Sequence, residues 1–320
     1  MNRTSRLRSP IGLAVLGAAC LLSCRAGTGG AIKEPRADGA AASVRGKIYY
    51  FGGLNGSGAL STTEAYDPAT GRWEIKAPMP TARATMTAVA CGDQIYVMGG
   101  RRGNTILDLI ERYDPVTDKW TQLPPMPAAR WRHMAAVVQG KIFVLGGITG
   151  VGDGRKVIGA VDVFDPLTKS WSKAAPMLVA KSGAATAVLD GKIVIVGGKI
   201  SAGPNVPSVE TVETYSPEED RWRSIQPLPT RLVAGCTAVN AGSLFVLGGS
   251  GKDGITDSVL VYNGASNTWQ AARRLGHRRN MHACAQVRAT VYLVGGVDEP
   301  SPNALLRDAE AYTLAESTAG

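Results

Sequence analysis

The residues best placed to do chemistry in this chain are basic, and they recur at matching intervals. Arg36, Arg83, Arg130 with Arg132, Lys181, Arg231, and Arg278 with Arg279 sit mostly twelve or thirteen residues ahead of one recurring apolar segment. Arg101, Arg102, Arg155, Lys156, Lys199 and Lys252 follow in neighbouring loops. Cations of one sign gathered on one rim focus the field there and attract anions. Bonding of backbone carbonyls at strand edges is the structural alternative for the same residues. Trp131 stands apart from the other tryptophans, between Arg130 and Arg132 and ahead of His133. An aromatic plane between two guanidiniums suits an anionic sugar or an acidic peptide, and equally suits the cover of a packed junction. The expected ligand set is Arg83, Arg130, Trp131, Arg132, Lys181 and Arg231.

Other chemistry finds little support. Glu64, Glu111, Asp162, Glu213 and Glu310 each lie two residues before the aromatic position of a repeat, which marks them as scaffold rather than as paired catalytic carboxylates. Of the three histidines, His133 and His282 occupy equivalent positions, and His277 does not. Cys91, Cys236 and Cys284 read as small core residues. A Cys236–Cys284 bond is open, although their offsets differ by one residue, which turns side chains to opposite faces of a sheet. No phosphate-binding loop, metal-ligand spacing or nucleophile–base–acid order is visible. No catalytic residue, metal or cofactor is expected.

These side chains are positioned by a repeat. Gly140-Lys141-Ile142-Phe143-Val144-Leu145-Gly146-Gly147 has five relatives, ending at Gly52-Gly53, Gly99-Gly100, Gly197-Gly198, Gly248-Gly249 and Gly295-Gly296. The steps are 47, 47, 51, 51 and 47 residues. A fixed period of this size signals a repeat architecture. Trp73, Trp120, Trp171, Trp222 and Trp269 travel with it, each seven residues after Tyr66, Tyr113, Phe164, Tyr215 or Tyr262. The intervening turns, such as Asp67-Pro68-Ala69-Thr70-Gly71, join Pro with side chains that bond their own backbone. With an apolar run before each diglycine strand (Met134–Val138 in the third copy), every repeat reads as four short strands, a propeller blade.

The diglycine, the Tyr-Asp-Pro turn, the Trp and the Pro-Met-Pro that follows (Pro78-Met79-Pro80, Pro125-Met126-Pro127) resemble the kelch-repeat β-propellers over residues 36–314. The resemblance implies an all-β, six-bladed propeller with four antiparallel strands per blade, at about 36–77, 82–124, 130–175, 181–226, 231–273 and 279–315. It also implies loops that bind partners from a rigid scaffold. In kelch domains that bind acidic peptides, arginines in this part of the blade do the binding. Copper oxidases resembling galactose oxidase need two His, two Tyr and a Tyr-linked Cys, a set this chain does not match.

The chain opens with Arg3, Arg6 and Arg8, then an apolar run over Ile11–Leu22, too short to span a bilayer and laid out as a secretory signal. Leu21-Leu22-Ser23-Cys24 resembles a bacterial lipobox, so residues 1–23 are expected to be cleaved and Cys24 lipidated. Arg25 behind it points to the outer membrane. Residues 24–35 form a tether, and its 30–35 end is expected to complete the sixth blade, whose own Trp position holds Ala319. Without the first ten residues the charge is 32 basic against 26 acidic, or +6. That balance gives no ground for a nucleic-acid partner. The expected protein is a lipid-anchored, monomeric binding module of the cell envelope for a protein, acidic glycan or acidic peptide. A sugar-active enzyme resembling the bacterial sialic acid mutarotase, or a structural subunit of a surface complex, are the alternatives.

Overall fold

A computed structural model describes residues 26–203, 206–299 and 304–314. Six four-stranded antiparallel sheets surround a central channel lined by the first strand of each. Blade 3 shows the plan. Met134–Val138, Lys141–Leu145, Val161–Asp165 and Ser170–Ala174 pair in that order from the channel outward. The second strand is buried on both faces beyond its first residue, as a β-branched and aromatic run between two neighbouring blades requires. The first strand alternates buried and half-buried small residues, and the fourth is largely exposed. Adjacent blades share one core: Phe143 and Val163 pack with Ile193, Ile195 and Tyr215 of blade 4.

The diglycines make the ring. The second glycine of each donates its N–H to a loop carbonyl of the next blade: Gly53 to Arg83, Gly100 to Arg130, Gly147 to Lys181, Gly198 to Leu232 and Gly249 to Arg279, at 2.8–3.0 Å. Gly296 closes the circle on Arg36 at 3.0 Å. The first glycine is left-handed throughout, and a Cβ on Gly52 would stand 2.5 Å from the Arg83 carbonyl. The pair recurs because two backbones must touch there.

The N-terminal strand Ala26–Ala31 pairs with Asp308–Thr313, matching Ala26 with Tyr312 and Thr28 with Glu310. The outer strand of blade 6 is thus supplied by the other end of the described chain, four residues earlier than the 30–35 expected from sequence. That brings blade 6 to four strands, as in the other five blades. Residues 1–23 and Cys24 lie outside the described residues.

Cys236 and Cys284 are joined across the first strands of blades 5 and 6, with Cα atoms 6.1 Å apart. This corrects the reading of both as plain core residues. The facing rule holds within one sheet, and these two strands belong to different sheets, so a one-residue offset does not part them. Cys91 is a free, half-buried thiol.

Candidate functional site

The recurring cations and the recurring acids are partners. Arg36 meets Glu64 at 2.6 Å, Arg83 meets Glu111 at 2.7 Å, and Lys181 meets Glu213 at 2.7 Å. Arg130 pairs with Asp162, and Arg279 with both Asp308 and Glu310. All five cations are fully buried. Each holds the loop entering a blade against the third strand of that blade. Burial pulls the Arg83, Arg130 and Lys181 charges below their ordinary pKa, and the carboxylate beside each opposes the shift. The expected ligand rim is corrected accordingly. Arg83, Arg130 and Lys181 are neutralised inside the wall and cannot reach a ligand. The clue was in the sequence, since cation and acid recur with the same period.

Blade 5 departs from this plan. Leu232 stands where the other blades have the cation, and Leu260 where they have the acid. Arg231 is one position off, exposed on the loop entering blade 5, away from Trp131 in blade 3.

Two of the expected residues remain on the loop face, and the fold adds others. Post-diglycine and inter-blade loops meet there through single bridges such as Ala84 to Arg101 and Trp131 to Ile148. Trp131 is 9% exposed because two guanidiniums cover it: Arg101 lies 4.9 Å and Arg132 5.4 Å from the ring centroid. Beside the ring, a groove of about 450 Å³ runs between the blade 2 hairpin (Arg101–Arg102 with Thr105–Ile106) and the blade 3 hairpin (Ile148–Thr149 with Lys156–Val157). Arg101 and Arg155 line it, with Asn104 and no carboxylate.

Arg132 also belongs to the channel mouth. Asp38, Thr85, Arg132, Gly183, Ala234 and Met281 hold equivalent positions, and all six are left-handed, with φ of 51–61°. Their backbones form a collar. Thr85 N–H donates to Asp38 O, Arg132 to Thr85, Gly183 to Arg132, Ala234 to Gly183 and Asp38 to Met281, at 2.8–2.9 Å. Met281 N–H turns instead to Asn280 Oδ1 at 2.8 Å. Side chains that are not glycine pay about 1–2 kcal/mol in this region, most for β-branched Thr85, and the run of five backbone hydrogen bonds holds them there. One half of the mouth is polar and the other holds Gly183, Ala234 and Met281. Asp38 Oδ2 stands 3.7 Å from Arg132 Nη2, both partly exposed. Sequence reasoning passed over Asp38. No local signal marked it, since the positions on either side vary from repeat to repeat as much as its own does.

His133 and His282 lie below, in opposite blades of the ring. Burial, then the nearby Arg130 or Arg279 charge, pushes each imidazole down to about 3, so both are neutral. Each fills the space against its neighbour's diglycine, as Met86 does in blade 2. Among the described residues no three His, Cys, Asp or Glu side chains gather as a metal would need.

Six such sheets, closed by diglycine contacts and presenting variable loops on one face, define a kelch-type propeller. The chain belongs to the kelch-repeat β-propellers. It matches the attractin/LZTR1 β-propeller over residues 95–305 and the KLHDC2/KLHL20/DRC7 kelch-repeats domain over residues 22–147. It is similar to kelch-like protein 25 of Xenopus tropicalis, 30% identical over 47% of this chain and 26% of the relative. It is also similar to kelch-like protein 35 of Mus musculus (28%, over 42% and 23%) and α-scruin of Limulus polyphemus (27%, over 41% and 15%). The matched part is thus about a quarter or less of those proteins. Among solved structures, that of YjhT aligns with TM-score 0.76 over 91% of this chain and 97% of its own, at 18% identity.

Proposed function

We propose that this chain is a non-catalytic binding module of the bacterial cell envelope, held by a lipid on Cys24, that takes an acidic glycan or the acidic segment of a protein on its loop face. Kelch propellers typically serve as protein-interaction modules. The observation that carries the acidic ligand is the groove between blades 2 and 3, whose lining holds two guanidiniums and no carboxylate over a covered indole. A carboxylate entering there meets the Arg101 guanidinium stacked on the indole, with Arg155 also lining the groove. The Cys236–Cys284 bond supports export, because such bonds persist in oxidising compartments.

The test is titration calorimetry with oligouronates and acidic peptides, beside neutral sugars of equal length. Saturable binding of the anionic ligands alone, weakened at least tenfold by Arg101→Ala or Arg155→Ala, is expected. Binding untouched by both variants would sink the site. The lipid is checked separately by the mass of the membrane-extracted chain.

A second reading, a sugar-active enzyme, is favoured by Asp38. A carboxylate beside a guanidinium in the channel mouth can move a proton on a bound anionic sugar, with no metal required. Exchange between sugar anomers, followed by NMR and abolished in Asp38→Asn, would move the protein to that class.

A further inference from the structure

The departure of blade 5 from the repeat is concentrated in one place. Where five blades bury a cation against a carboxylate, blade 5 has Leu232 and Leu260. In the loop that leaves it, the position held by Pro78, Pro125, Pro176 and Pro227 in earlier loops is Arg274. The position held by Ala82, Ala129 and Ala180 is Arg278 here, as it is Arg231 in the loop that enters blade 5. Two apolar residues thus replace a buried pair beside a loop in which a cation, Arg274, replaces a proline.

A pocket of about 170 Å³ opens there. Leu232, Ile255 and Leu260 supply its apolar surface, and Arg274, Arg278 and Lys252 its cations. Arg274 pairs with Asp257 at 2.8 Å, and Lys252 is 3.9 Å from Asp253. Three cations against two carboxylates leave one positive charge, and Arg278 is exposed at the rim. None of these residues lines the groove at Trp131 or the channel mouth.

We propose that this pocket binds a small organic monocarboxylate with a short apolar chain or ring. The apolar part rests on Leu232, Ile255 and Leu260, which line the pocket. The carboxylate meets Arg278, and Arg274 shares itself between the ligand and Asp257. The single excess charge selects a monoanion over a neutral molecule of the same shape.

Hexanoate is the probe and hexanol its neutral control, titrated against the full chain with backbone amide NMR as readout. Hexanoate shifts the amides of Gly254, Ile255 and Leu260 saturably, and hexanol at equal concentration does not. Arg278→Ala, an exposed change that leaves the fold intact, weakens hexanoate about tenfold. The double variant Leu232→Arg/Leu260→Glu rebuilds the pair of the other blades, fills the pocket and abolishes binding. No saturable shift, an equal response to hexanol, or unchanged affinity in Arg278→Ala overturns the proposal. If the double variant fails to fold, Arg278→Ala decides alone.

Discussion

Blades 2 and 5 solve one problem in opposite ways. Both are 47-residue repeats, and both hold the loop that enters them against their third strand. Blade 2 uses Arg83 and Glu111, fully buried, whereas blade 5 packs Leu232 into a core cluster that the half-buried Leu260 joins. In both, the carbonyl of the residue at this point accepts the N–H of the preceding diglycine, from Gly53 in one case and Gly198 in the other. The backbone contact is what closure requires. The side chains behind it need only match each other.

That comparison breaks most sharply on half of a pair. Arg83→Leu leaves the Glu111 carboxylate buried without its cation, and should cost about 3–5 kcal/mol of unfolding free energy. Arg83→Leu with Glu111→Leu copies blade 5 and should recover most of the loss, since apolar replacement of a buried ion pair is often neutral. Urea titration of both variants checks this. A double variant as unstable as the single one would mean that the charge itself, not the match, holds blade 2.

The next largest effect concerns the residue three positions further on, Met86 in blade 2 and His133 in blade 3. An unfolded imidazole takes up its proton near its ordinary value of about 6.5. The buried one resists to about 3, and His282 does the same. The unfolded chain therefore binds more protons throughout this window. Stability is full above it and falls as pH drops from about 6.5 toward 3, by about 1.4 kcal/mol per pH unit for each histidine. His133→Met borrows the blade 2 residue and should flatten the slope by that amount between pH 6 and 4. An unchanged slope would mean that His133 charges in the folded state.

The fold was legible because the repeat states it six times, and six agreeing copies of diglycine, turn and Trp outweigh any local ambiguity. The candidate site was legible only where the chain breaks its own pattern. Trp131 and Arg132 stood out by that rule and do lie on the loop face. Arg83, Arg130 and Lys181 were read from their recurrence, and recurrence reports scaffold. Asp38 was missed because nothing local marks it. Its place is set by a left-handed collar residue contributed by each blade, which only the closed ring assembles. The disulfide was undecidable, because strand register within one sheet does not fix register between two.

The smallest effect lies at the outer edge of the junctions. Asp118 accepts from Tyr113 Oη at 2.6 Å and from the Ala77 N–H of blade 1 at 2.9 Å, while Trp120 Nε1 donates to Ala77 O. Asp220, Tyr215, Trp222 and Ala175 repeat this clamp between blades 3 and 4. Asn267, Tyr262, Trp269 and Gln226 repeat it between blades 4 and 5. Between blades 2 and 3 all parts but the tryptophan change together. Pro124 has no N–H to give, Lys169 replaces the acceptor, Phe164 lacks the hydroxyl, and Trp171 Nε1 has no partner. Lys169 also keeps the left-handed φ of 56° that Asp and Asn tolerate better. Pro124→Ala, Phe164→Tyr and Lys169→Asp together should stabilise by about 1 kcal/mol, and each alone should give less than its share or destabilise, since no part has its partner. Thermal unfolding of the three single variants and the triple variant measures the coupling. Simple additivity would show that the clamp is three separate contacts, and that this junction lost nothing by giving them up at once.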